Sequence, residues 1–155
     1  MIRVRQAVAG DLEELLRIAR LSATAAQWPE EQYQALFSES SYQSRLCLVV
    51  EQDTRTCGFL IGRAVAEEWE IENIAILPEA RRRGLGSRLL NEFLARTEND
   101  AGASIFLEVR ESNQAARQLY EKWGFSEAGR RKNYYQGPQE DGLILKISFP
   151  GRSRI

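Results

Sequence analysis

The stretch Glu79–Leu90, EARRRGLGSRLL, decides how this sequence is read. It follows the apolar run IAILP and opens a leucine-rich segment, so a strand turns into a helix within a few residues. Such a turn leaves backbone N–H groups without intrahelical partners, and the positive end of the helix dipole points the same way. Glycines let that backbone approach a ligand closely. Gly84 and Gly86 therefore suit a phosphate cradle, with Leu85 and Ser87 beside them and Arg81, Arg82 and Arg83 free to add charge-assisted contacts. A glycine-softened turn carrying solvated arginines is the alternative that the same residues allow. Two familiar glycine motifs are excluded. A dinucleotide fingerprint needs a third glycine where Leu89 stands, and a P-loop needs Lys followed by Ser or Thr after its last glycine, where this chain has Ser87 and Arg88.

Working outward, Leu85, Leu89, Leu90, Phe93 and Leu94 fall on one helical face, which predicts an amphipathic helix lying on a sheet. Upstream, IRVRQA alternates as a strand does, Asp11 and Glu14 have capping-box spacing before a helix reaching Arg20, and QWPEEQYQALF reads as a second helix. SESSYQS reads as a loop. RLCLVVEQ and CGFLIGRAVA flank a turn at DTRT and predict an antiparallel hairpin, which WEIENIAIL extends. Alternation along that third run puts Glu70, Glu72, Ile74 and Ile76 on one face. Downstream come a strand, SIFLEVR, and a helix, NQAARQLYEKW. The stripe of that helix is Ala115, Ala116, Leu119, Tyr120 and Trp123, and Gly124 ends it. DGLILKISF is the last strand. The order β-α-α-β-β-β-α-β-α followed by a β-rich tail predicts an α/β chain with one mixed, mostly antiparallel sheet flanked by helices.

The length of 155 residues predicts one domain over residues 1–150, with residues 151–155 as a solvated tail. A net charge of −1 argues against a general nucleic-acid binder. No segment has the apolar core of a signal peptide or the roughly 18 apolar residues of a membrane span, so a cytoplasmic protein is expected. Cys47 and Cys57 form no CxxC pair and read as free thiols. The chain has no histidine, which removes His-based triads and the commonest metal ligand. No metal is expected.

Arg-x-x-Gly-x-Gly from Arg81 to Gly86, at a strand-to-helix turn in a mixed sheet, resembles the pyrophosphate loop of the GNAT superfamily of acetyl-CoA-dependent N-acetyltransferases. The blocks QWPEEQY, ENIAI, LEVRESNQAARQLYEKWGF and RRKNYY, in that order, resemble the RimI-type branch, ribosomal-protein-alanine N-acetyltransferases that acetylate protein N-termini.

The resemblance implies a GNAT fold in which the strand before the loop splays from its neighbour. Backbone groups of Ile74, Ala75, Ile76 and Leu77 would then bind the pantetheine arm of acetyl-CoA. It implies that Asn113 contacts the cofactor, although an N-cap role is equally open. Tyr120 resembles the general acid that protonates the leaving thiolate, and its place on an apolar stripe also suits a core aromatic. Glu108 resembles the general base. The position before NIA is usually apolar in this branch, and here it is Glu72, a second candidate base or else a solvated strand carboxylate. Trp28, Tyr33, Tyr134 and Tyr135 would frame an extended acceptor peptide, or simply pack. The expected partners are acetyl-CoA and a protein N-terminus, with the alanine terminus of a small-subunit ribosomal protein as the implied acceptor, and no membrane. Lysine or small-amine acetylation, a non-catalytic acyl-CoA module, and RNA contacts through RRR and RRK are the other readings.

Overall fold

A computed structural model describes residues 1–22, 25–38, 44–98 and 104–148. Most of the SESSYQS loop and the whole 151–155 tail lie outside the described residues. The strands are β1 (Ile2–Gln6), β2 (Arg45–Gln52), β3 (Arg55–Val65), β4 (Glu68–Ile76), β5 (Ser104–Arg110), β6 (Ser126–Tyr135) and β7 (Glu140–Ser148). The α-helices are α1 (Leu12–Leu21), α2 (Glu30–Gln34), α3 (Leu85–Thr97) and α4 (Gln114–Lys122). The strands form one sheet in the order β1-β2-β3-β4-β5-β7-β6, antiparallel except where β4 meets β5. This is the expected element order.

Amphipathic spacing explains how the helices seat. Leu15, Ile18 and Ala19 of α1 are buried, as are Leu85, Leu89, Leu90 and Phe93 of α3. Between these layers β3 is buried continuously from Thr56 to Gly62, which accounts for its unbroken apolar run. Phe93 fills the space that Gly62 leaves open and meets Trp69 edge-on at 5.8 Å. Helix α4 ends at Gly124, whose φ of +98° suits glycine, and the Phe125 N–H returns to the Tyr120 carbonyl. Its stripe is Ala116, Leu119, Tyr120 and Trp123, whereas Ala115 is exposed.

Two local expectations are corrected. Asp11 does not cap α1 through Glu14. Its carboxylate instead accepts both Arg5 guanidinium nitrogens at 2.9 Å and the Val8 N–H at 2.7 Å, while Glu14 pairs with Arg17. The long-range arginine outcompetes the local cap because a bidentate charged pair satisfies more of a buried carboxylate. Replacing Asp11 with Asn is expected to cost about 2 to 3 kcal/mol, read as a lower urea midpoint. The hydrogen bond from Arg5 holds the Asp11 carboxyl below its ordinary value. That stabilisation is present above about pH 3.9 and is lost as pH falls through the lower folded value, so the Asn variant should lack this part of the acid sensitivity.

The second correction concerns β4. Opposite β3, Ile61 faces Asn73 but Gly62 faces Ile71, so Glu72 is an extra residue in a β-bulge. Directly opposed residues share a face. Glu70 therefore lies with Arg63, and Asn73 with Ile61, on the face covered by α1 and α2, where Glu72 also reaches Arg45 and Arg63. Ile74 lies opposite Leu60, on the face covered by α3. The bulge thus separates Glu70 and Glu72 from Ile74 and Ile76, which simple alternation had grouped together.

Candidate active site

Among the described residues the parallel ladder between β4 and β5 runs from Glu68–Ile71 against Ser104–Leu107. Beyond it β4 continues to Ile76, while β5 continues to Arg110 paired with β7 alone. A gap opens between them, as the splayed strand required. The Leu77 N–H donates to Cys57 of β3 at 2.8 Å. Alternation then turns the backbone of Ala75 toward β3 and that of Ile74 and Ile76 into the gap. The Ile76 carbonyl there accepts from Ser22 Oγ at 3.1 Å and Arg81 Nε at 3.2 Å. Of the four residues expected to offer backbone contacts, Ile74 and Ile76 turn their backbone toward the gap, whereas Ala75 and Leu77 turn theirs toward β3 and are buried.

At one end of the gap lies the glycine-arginine turn. Pro78–Ala80 form a 3-10 turn, Arg82 takes φ +64° and Gly84 takes φ +75° just before α3. The Arg88 N–H donates to the Gly84 carbonyl at 3.0 Å, leaving the amides of Leu85, Gly86 and Ser87 without helical acceptors. Nothing lies within 4 Å of where a Gly84 side chain would start, so the cradle has room. Outward amides, a helix N-terminus and an arginine-rich rim are the donor set that a pyrophosphate needs. The acetyl-CoA phosphates therefore fit these residues. Gly86 has a packing reason as well, since a Cβ there would lie 3.3 Å from Leu119 of α4. Arg81 is tied to Ile76, Arg83 to Gln52, and Arg82 makes no ion pair or hydrogen bond among the described residues. Gly84→Val is expected to weaken acetyl-CoA binding roughly tenfold or more, measured by calorimetry, because it strains the backbone and fills the cradle.

The proposed acid and base approach the gap from opposite faces. Helix α4 lies on the α3 side, where Leu119 meets Gly86 and Gly124 meets Ile147. Tyr120 is 3% exposed, packs edge-on against Phe125, and has no hydrogen bond to its hydroxyl among the described residues. Burial pushes its phenol up, which keeps it protonated. Asn113 caps α4 by accepting the Ala116 N–H at 3.2 Å, so its N-cap role is realised. Glu108 lies on the other face with Glu70, whose register partner is Phe106. Its Oε2 is buried without a hydrogen bond, and Arg131 Nε lies 3.1 Å away outside donor geometry. Burial raises the Glu108 carboxyl, against the lowering effect of Arg131 and with some help from Glu70. Glu72 is held by Arg45 at 2.9 and 3.3 Å and by Arg63 at 3.5 Å.

The aromatic candidates separate into two groups. Tyr33 is buried, donating to the Ala26 carbonyl at 3.3 Å and accepting from Asn73 at 3.0 Å. It supports Trp28, 5.2 Å away, and presents no surface of its own. Tyr134 is exposed and lies 5.1 Å from the half-buried Tyr135, which sits under the Arg110 guanidinium. Burial and the nearby Glu108 push the Tyr135 phenol up to about 12. Two contributors were not singled out from sequence. Asn73 joins the α1–α2 loop to β4 through the Ala26 N–H, and Gly142 leaves room beside Glu108. Cys47 and Cys57 are buried free thiols. No described helix is long and apolar enough to cross a membrane, and no metal-binding cluster occurs among the described residues.

Comparison with known proteins agrees with this geometry. The acetyltransferase (GNAT) family model matches residues 12–125. A [ribosomal protein bS18]-alanine N-acetyltransferase of Salmonella typhimurium is 38% identical, covering 84% of this chain and 95% of its own length. The crystal structure of the ribosomal-protein-S18-alanine N-acetyltransferase from Escherichia coli superposes with a TM-score of 0.85 at 32% identity, covering 96% of this chain and 94% of that one. Arabidopsis thaliana NAA60, solved with acetyl-CoA, shares the fold with a TM-score of 0.83 at 18% identity, covering 97% of this chain and 100% of its own. A splayed β4–β5 seam, an arginine-glycine cradle at the head of α3 and a family match over most of the length lead to one conclusion: the chain belongs to the GNAT family of acetyl-CoA-dependent N-acetyltransferases.

Proposed function

We propose that this enzyme acetylates the N-terminal α-amine of a protein, with the alanine terminus of a small-subunit ribosomal protein as its acceptor. The observation that carries this reading is Glu108 Oε2, a buried carboxylate oxygen with no hydrogen-bond donor, on the face opposite Tyr120. Similarity to ribosomal-protein-alanine N-acetyltransferases over most of the chain supports the acceptor.

Acetyl-CoA supplies the acyl group as a thioester. The amides at the start of α3 and the backbone of Ile74 and Ile76 hold and align it, with Asn113 at its flank. The Glu108 carboxylate takes the proton of the incoming amine, directly or through a water. A peptide α-amine has an ordinary pKa of about 7.7 to 8.0 against about 10.4 for lysine, so a weak base near neutral pH suits the former much better. Tyr120 gives its hydroxyl proton to the departing sulfur. Glu72, already forked to Arg45 and close to Arg63, is the weaker base candidate. Trp28, backed by Tyr33, and the Tyr134–Tyr135 pair border the acceptor's path.

The test follows thiol release from acetyl-CoA with three peptides: a free alanine N-terminus, its N-blocked twin, and a blocked peptide containing lysine. Release with the free alanine peptide alone is the expected outcome. Release driven by the lysine peptide would overturn the α-amine assignment, and release with none would redirect it to a small amine.

A further inference from the structure

One side chain beside Glu108 has no part in the steps above. Arg131 of β6 reaches past β7 toward β5, and its path is open because its register partner on β7 is Gly142. A Cβ at Gly142 would lie 3.0 Å from Glu108 Oε2 and 3.2 Å from the Tyr135 ring, so only glycine leaves this notch. The Arg131 guanidinium is fixed at both ends, 5.2 Å from the Tyr134 ring centre and 3.1 Å from Glu108 Oε2, although the side chain is 57% exposed. An exposed arginine loses side-chain entropy when it is held in this way, which needs a compensating interaction.

We propose that Arg131 is a positioning residue for the transfer reaction: laid on Tyr134 and across the Gly142 notch, it fixes the Glu108 carboxylate from the β6 side and keeps it ionised. The inference rests on the reading of Glu108 as the base. Because Nε lies near Oε2 without donating to it, no hydrogen bond from Arg131 has to break when Glu108 takes up a proton. The groups facing Glu108 are Arg131 and Tyr135 from β6 and Glu70 from β4, itself paired with Arg63, while Gly142 of β7 adds no charge. Burial and Glu70 both disfavour the carboxylate, and Arg131 opposes them. Without Arg131, Glu108 would protonate at higher pH.

Two readouts test this. The first is a carbon-13 NMR titration of the Glu108 carboxylate in the free protein, assigned by its loss in Glu108→Gln. Arg131→Gln is expected to raise the midpoint by about one pH unit, and Arg131→Met, which keeps the stem on Tyr134, to do the same. Arg131→Lys should retain the wild-type midpoint. The second is the pH profile of kcat/KM with the alanine peptide. Its lower acid limb should move up by the same amount in Arg131→Gln, costing about tenfold below both midpoints and little at high pH, because protonated Glu108 cannot accept. The upper limb, set by the amine itself, should stay. An unmoved NMR midpoint in both neutral variants overturns the proposal. A moved midpoint with an unmoved acid limb shows instead that Glu108 is not the base, and the positioning role falls with that reading.

Discussion

Replacing Tyr120 with Phe is expected to lower kcat by roughly 10²- to 10⁴-fold, the usual range for a positioned general acid, while acetyl-CoA affinity stays unchanged. The substitution removes one oxygen from a side chain that is 3% exposed and packed against Phe125. That oxygen makes no hydrogen bond within the described residues, so its loss opens no network. Thermal stability should hold or rise slightly, since a hydroxyl in apolar surroundings carries a desolvation cost. A purely structural tyrosine would give the reverse pattern, a shifted Tm with kcat intact. Because burial pushes the phenol up, the group stays protonated across the working range, and the wild type should show no basic limb from Tyr120 near neutral pH. The measurement is steady-state thiol release at saturating acetyl-CoA alongside a binding isotherm. An unaltered kcat would sink the acid role.

Gly62→Val is expected to damage the fold, costing about 3 kcal/mol or more. A Cβ at this position would stand 2.3 and 2.5 Å from two ring carbons of Phe93. The ring cannot retreat, because it is fully buried and held edge-on to Trp69 at 87°. Across the ladder Gly62 faces Ile71, the last paired residue of β4 before the bulge, so the strain would reach the edge of the gap. Chemical denaturation should show a lower midpoint, and Gly62→Ala combined with Phe93→Leu should recover part of what Gly62→Ala alone loses. A Gly62→Val midpoint equal to that of the wild type would show that the interface between α3 and the sheet is looser than its packing implies.

The elements were legible because their signals are local. Periodicity marked the strands and helices, and the glycine-arginine turn located the head of α3 from a dozen residues. Partnerships across the sheet were not legible. Asp11 had capping-box spacing, yet its partner is Arg5 on another element. Glu72 looked like one member of an alternating row, and only its pairing with β3 reveals the bulge. Tyr33 and Tyr134 are the same residue type near the same expected pocket, but one is sealed by Asn73 and the other is exposed. Arg131 meets Glu108 across β7, which lies between β5 and β6 in the sheet order and carries Gly142 at the crossing. RRKNYY carries both Arg131 and the tyrosines, but no spacing rule within it points back to β5.

The short seam between β4 and β5 has a mechanical consequence. Among the described residues it holds four register pairs, against seven between β5 and β7 and eight between β3 and β4, so the sheet is two well-knit panels joined at their weakest line. A ligand that hydrogen-bonds to the Ile74 and Ile76 backbone replaces rungs that the protein itself omits, and couples the panels as a missing strand would. At a ligand concentration 100-fold above Kd, mass action alone adds about 2.7 kcal/mol of stability. Amide exchange should show where that gain falls: protection rising across β5 and β7 as well as in β4, because the C-terminal panel would no longer open independently of the N-terminal one.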